Sequence, residues 1–151
     1  MKRNFLSAAI IGLLLFVSLN SFLPDINNSL VTDVLKQTNQ FRKSEGLPVL
    51  IIKQELNQIA QKHSKDMADR RVAFGHDGFG DRQAKAGKVI KGMHTFAENV
   101  AYGANTAREV VTLWKNSPGH RRNMLGNFKY IGIGTAKDSK GQIYYTEIFV
   151  N

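Results

Sequence analysis

His120 is the residue of this chain best placed to do chemistry, because the sequence around it sets an imidazole in the first turn of a helix. In the run Trp114-Lys115-Asn116-Ser117-Pro118-Gly119-His120-Arg121-Arg122-Asn123-Met124-Leu125, Ser117 reads as an N-cap and Pro118 takes the first helical position that its fixed φ prefers. His120 is then the third helical residue, beside unpaired backbone amides whose partial positive charge disfavours imidazolium. A neutral imidazole can bind a metal ion or accept a proton. The remaining histidines, His63, His76 and His94, lie in separate segments, and no His-x-x-x-His motif occurs. A metal or catalytic site must therefore be assembled from residues far apart in sequence. Taken singly, each has a plainer reading: His76 as a loop residue, Glu98 as a cap or ion-pair partner, His120 as a ring bonded to a neighbouring loop. The chain has no cysteine, which excludes disulfides, thiolate ligands, a thiol nucleophile and a lipid-modified cysteine.

The elements that would position these groups can be read from period and punctuation. Thr106-Ala107-Arg108-Glu109 reads as a capping box opening a helix to about Asn116, with Ala107, Val110, Val111 and Trp114 along one face. Upstream, Asp25, Asn27 or Ser29 can cap a first helix carrying Leu30, Val34, Leu35, Thr38 and Phe41 or Arg42 at helical spacing, which Gly46 ends. A second helix is predicted from about Lys53 to Arg71, with Leu56, Ile59, Ala60, His63 and Met67 on one face, which makes His63 a core or boundary residue. From Gly75 to Phe96 the composition turns to Gly, Asp, Lys and Arg without a period, the pattern of an ordered active-site loop. Ala97 to Tyr102 reads as one helical turn closed by Gly103. Tyr130–Ala136 and Ile143–Val150 read as strands joined by the turn Asp138-Ser139-Lys140-Gly141.

With 151 residues, 42% of them hydrophobic, the chain suits one domain with a single packed core. Lys2 and Arg3 precede an apolar run from Phe5 to Leu23, the layout of a secretory signal. Residues 1–24 are therefore expected to be a signal peptide or, if uncleaved, an N-terminal anchor, and residues 25–151 the exported domain. Such a protein is secreted or extracytoplasmic, and export without disulfides fits a bacterium. Its net charge is +9 at pH 7, with Arg70-Arg71, Lys85, Lys88, Lys91 and Arg121-Arg122 spread along the chain. Such a surface is solvated and also attractive to an anionic surface or polymer. No nucleic acid is expected as a partner, since no ribonucleoprotein or helix-turn-helix pattern is present.

The segment around His120, together with Gly75-His76, Ala97-Glu98-Asn99-Val100-Ala101 and Ile131-Gly132-Ile133-Gly134, resembles the CAP superfamily. That group contains the cysteine-rich secretory proteins, antigen 5 and the plant pathogenesis-related proteins. The likeness is to the compact bacterial branch and runs from about Leu30 to Val150, including Asn39, Arg42, Ala60, Ser64, Asp66 and Met67. It implies an α+β fold, a three-layer α-β-α sandwich with a small antiparallel sheet and a cleft bearing two His and two Glu. His76, Glu98 and His120 match three of those four. Two borderline nitrogens and one hard oxygen suit a divalent cation, Zn2+ first. The fourth position falls on Ser117, which cannot replace a carboxylate, although a Ser117, His120 and Glu98 nucleophile arrangement can be drawn. Glu147 stands where the resemblance leads to Gln, and would either restore a carboxylate to the cleft or pair with a basic side chain. His94, four residues before Glu98, is a substitute ligand if its loop folds back, and Asn99 is implied to fix local backbone. Trp114 belongs in the core.

The implied function is an exported binding module, monomeric, with a His/His/Glu cleft for a divalent cation and an unidentified ligand in or outside the cell envelope. Membrane contact would come only through an uncleaved N-terminal segment. One alternative is a metal-assisted peptide or ester hydrolase with Glu98 as general base. The other is lipid or sterol binding, known among eukaryotic relatives, which none of the matched residues carries.

Overall fold

The computed structural model describes residues 26–151, with side chains from Ser29 onward. The leader expected at residues 1–24, and Asp25 as a cap, lie outside the described residues. Among the described residues no helix is long and apolar enough to cross a membrane.

The described residues form, in order, α1 (Ile26–Ser44), β1 (Ile51–Ile52), α2 (Gln54–Ala68), α3 (Phe79–Val89), β2 (Phe96–Tyr102), α4 (Ala107–Asn116), α5 (Pro118–Met124), β3 (Tyr130–Lys137) and β4 (Ile143–Val150). The strands lie in the order β1-β3-β4-β2. Their pairings are antiparallel except for the two-residue β1, which runs parallel to β3. Side chains alternate across the sheet. Ile131, Ile133, Tyr145 and Phe149 face α1, α4 and α5 in one core, while Ile148 and Val150 face Leu56 and Ala60 of α2 and Ala86 of α3 in a second. The result is a helix-sheet-helix sandwich of the expected class.

Local chemistry explains where the helices begin and end. At the end of α1, Gly46 (φ 75°) lets its N–H reach Lys43 O and the Leu47 N–H reach Arg42 O at 2.9 Å, a Schellman closure. Thr106 caps α4 by accepting from the Glu109 N–H at 3.2 Å, and the Glu109 carboxylate accepts from the Asn105 N–H at 2.7 Å. The capping box is thus displaced outward by one residue on its return side. Helix α2 lies so close to β3 that a Cβ at Gly134 would come within 2.2 Å of the Gln61 nitrogen. Along that flank α2 also takes the place of a strand. Asn57 accepts from the Ile133 N–H at 2.8 Å, and Gln61 bonds both the N–H and the carbonyl of Thr135.

Two sequence expectations are corrected. The stretch from Gly75 to Phe96 is not loop throughout, because it contains α3. Arg82 and Ala86 are its buried residues, a stripe too narrow to give an apolar period, and its cap position is Gly78 (φ 75°) with no side-chain cap bond. Nor is Ala97–Tyr102 a helical turn. It lies within β2, paired residue for residue with β4 from Phe96↔Val150 to Tyr102↔Tyr144. Ala, Glu and Asn are poor strand formers, and here the pairing decides.

Candidate functional site

Glu98 is the centre of the site. It lies on the α2 and α3 side of β2, opposite Ile148, and is 3% exposed. A carboxylate buried to that degree needs a counter-charge, and Arg82 of α3, also buried, supplies one. Arg82 Nε donates to Glu98 Oε2 at 2.5 Å and Nη2 donates to Oε1 at 2.7 Å, the bidentate fork that makes arginine a strong carboxylate partner. Its Nη1 also donates to Asp77 O at 2.7 Å. The His76 Nδ1 lies 2.9 Å from Glu98 Oε1, so His76 holds the carboxylate by one ring nitrogen while half its side chain is exposed.

His63 holds the turn that carries His76. It is buried in α2, and its Nε2 lies 2.9 Å from the carbonyl of Gly75, a residue at φ 143° where a side chain would be strained. Burial lowers the His63 pKa, with the Gly75 bond opposing.

On the outer edge of β2, α4 and α5 cover the backbone with side-chain donors. Trp114 Nε1 donates to Val100 O at 3.2 Å, and Asn123 Nδ2 donates to Glu98 O at 3.1 Å and to Asn99 Oδ1 at 2.9 Å. Asn99 Nδ2 in turn donates to His120 O at 3.2 Å. These amides fix α5 and with it His120, the third residue of that helix. His120 is half-buried, and its pKa is lowered first by burial and second by the charge of His76. The neutral ring expected from the sequence is therefore favoured, by desolvation and by the neighbouring second imidazole.

The structure therefore brings His76 into contact with Glu98, and places His120 within electrostatic reach of His76. It does not arrange the three as an open ligand set. Both oxygens of Glu98 are engaged, and among the described residues no group of three or more His, Cys, Asp or Glu is placed to hold a metal ion. His76 spends only Nδ1 on Glu98, and a carboxylate behind a histidine ring is the usual orienting partner of metal-ligating imidazoles.

Ser117 occupies the cap position of α5 but makes no side-chain cap bond, so its hydroxyl does not play the capping part expected of it. The His94 ring is exposed, its backbone N–H bonds Asn151 O at 2.6 Å, and among the described residues no hydrogen bond links it to the cluster. Glu147 is fully buried on the opposite face of the sheet, bonded to Thr38 of α1 at 2.7 Å, so it neither adds a carboxylate to the Glu98 face nor meets a basic side chain among the described residues. Sequence reasoning missed Arg82 and Asn123. The first lies in a stretch whose composition reads as loop, and the second in the run around His120, where no spacing marks an amide for a role.

Known proteins match this chain along most of its length. The chain is 39% identical over 107 residues to the uncharacterized protein YkwD of Bacillus subtilis (strain 168), covering 67% of this chain and 40% of that one. An extracellular protein containing a SCP domain from Bacillus anthracis str. Ames superposes with a TM-score of 0.71 at 31% identity, over 83% of this chain and 41% of that chain. An outer surface protein of Borrelia burgdorferi shares the fold at TM-score 0.72 and 21% identity, over 82% and 92% of the two chains. The chain thus spans less than half the length of these Bacillus relatives. Residues 35–150 match the family described as CAP, the cysteine-rich secretory protein family, and the chain belongs to it.

Proposed function

We propose that this chain is an extracytoplasmic binding module whose cleft takes a divalent cation, zinc first, between the imidazoles of His76 and His120. The observation that carries the reading is the His76 contact. With Nδ1 held 2.9 Å from a buried carboxylate, the ring is oriented and its other nitrogen is left for a ligand. Lowering of the His120 pKa by burial and by His76 supports a second neutral nitrogen, the form a metal requires. The bound ion would supply a Lewis-acidic anchor for an oxygen or nitrogen donor of the ligand. Glu98, pinned by Arg82, orients His76. The extracellular description of the Bacillus anthracis relative supports an extracytoplasmic site of action, and the surplus of basic residues favours an anionic surface or polymer as partner.

Nothing in the geometry favours the hydrolytic alternative over this reading. Glu98 is buried and takes three hydrogen bonds from Arg82 and His76, an arrangement that orients His76 instead of presenting the carboxylate to water. The lipid or sterol alternative has no supporting contact among the described residues. Calorimetric titration with zinc tests the binding reading. Affinity is expected to fall at least tenfold in His76→Ala and in His120→Ala, and to weaken below about pH 6 as imidazole protonates. Unchanged affinity in both variants removes the site.

A further inference from the structure

The group used by none of this is Glu147, a carboxyl at 0% exposure in the core under α1, α4 and α5. Oε1 accepts from Thr38 Oγ1 at 2.7 Å, while Oε2 has no hydrogen-bond partner among the described residues. An ionised carboxylate left in that state would be an uncompensated buried charge, whereas a carboxylic acid needs only one acceptor for its O–H. Asn99 stands directly across on β2, and its Oδ1, which takes one bond from Asn123, keeps a second lone pair.

Among the described residues no charged side chain answers Glu147 from the elements packed on that face. The facing residue on β3 is Ile133, α1 offers Thr38, and α4 and α5 offer the apolar Val110, Trp114 and Met124. Arg42, one turn along α1 from Thr38, commits its guanidinium to the carbonyls of Pro48, Met124 and Gly126 at 2.9, 2.7 and 2.9 Å. Arg82, Glu98 and His76 belong to the other side of the sheet.

We propose that Glu147 is a positioning residue for the cleft, an uncharged carboxylic acid that ties α1 to the sheet and, through Asn99, seats α5 and His120. The relay is short: Glu147 faces Asn99, Asn99 holds the His120 carbonyl, and Asn123 holds both Asn99 and the backbone of Glu98. The positional role rests on the reading that His120 belongs to the binding site. Burial pushes the Glu147 carboxyl up to about 8, with the Thr38 bond opposing.

The sign of the pH effect follows. Above its ordinary value near 4.5 the unfolded carboxyl is ionised, while the folded one keeps its proton until about pH 8. Unfolding then releases a proton, and stability falls as pH rises across that window. Towards pH 8 and above, the lowered histidines His63 and His120 carry little charge in either the folded or the unfolded state and add little to the slope.

The test is thermal unfolding of the chain from pH 7 to 9, with the His120 ring followed by NMR, for the wild type, Glu147→Gln and Thr38→Val. Glu147→Gln keeps an acceptor for Thr38 without a proton to lose. Its Tm is expected to decline less with pH than the wild type's, and the inflection of the His120 signal near pH 8 should vanish. Thr38→Val removes a bond that favours the carboxylate, so its inflection should move to higher pH, and this arm stands even if the first variant does not fold. Parallel Tm profiles for wild type and Glu147→Gln, a His120 signal without an inflection, or an unmoved one in Thr38→Val overturns the proposal. Zinc enters none of these readouts, so a failure of the metal reading is seen separately.

Discussion

Arg82 shows how one buried side chain can decide the character of a site. With Arg82 in place, Glu98 is a fixed, satisfied anion that orients His76; without it, the same carboxylate is a buried charge with one partly exposed partner. Removing one member of a buried pair costs about 3–5 kcal/mol, so Arg82→Met is expected to destabilise the chain by roughly that amount in urea unfolding. A loss below about 1 kcal/mol would mean that another group serves Glu98. The sequence made His76, Glu98 and His120 legible through family likeness, because each sits in a recognisable short run. It could not make Arg82 legible, since an arginine in a Gly- and Lys-rich stretch reads as solvated. The face occupied by Glu147 was equally hidden. Seven of the eight β4 residues are buried, so the alternation that would separate one face from the other is absent.

The elements were readable where their periods are wide and their ends are punctuated. Helices α1, α2 and α4 present broad buried stripes, and Gly46, Thr106 and Pro118 mark boundaries that the structure keeps. Helix α3 and strand β2 were unreadable because tertiary contacts define them: α3 buries only two residues, and β2 is held by β4 on one side and by Trp114 and Asn123 on the other. The approach of α2 to β3 gives a prediction at this scale. Ala at Gly134 would put a methyl within 2.2–2.4 Å of the backbone of Ala60 and Gln61, where nothing can yield without moving the helix. Gly134→Ala is expected to cost about 1–3 kcal/mol or more. Gly119→Ala, in α5 with nothing within 4 Å of the added methyl, should instead gain about 0.5–1 kcal/mol from the helix preference of alanine. Guanidinium denaturation of the two variants checks the contrast, and equal effects would refute the close packing.

At the scale of the molecule, the layer order was legible through the family likeness and not through the elements themselves, since α3 and β2 carry misleading local signals; the parallel pairing of β1 was not legible, because two residues carry no readable period. Two apolar cores, one on each side of the sheet, close the structure without a cysteine staple. Exhaustive chelation is therefore expected to leave Tm and the near-ultraviolet circular dichroism unchanged even if it empties the cleft; a fall of more than a few degrees would assign a structural metal. The side chains of Asn57 and Gln61 along one flank, and of Trp114 and Asn123 along the other, have a further effect. Peptide groups that would otherwise serve as a template for a foreign or identical chain are already spoken for. A sheet without covalent cross-links is thereby guarded against zippering to identical chains, and the guard consists of four side chains that do no chemistry at all.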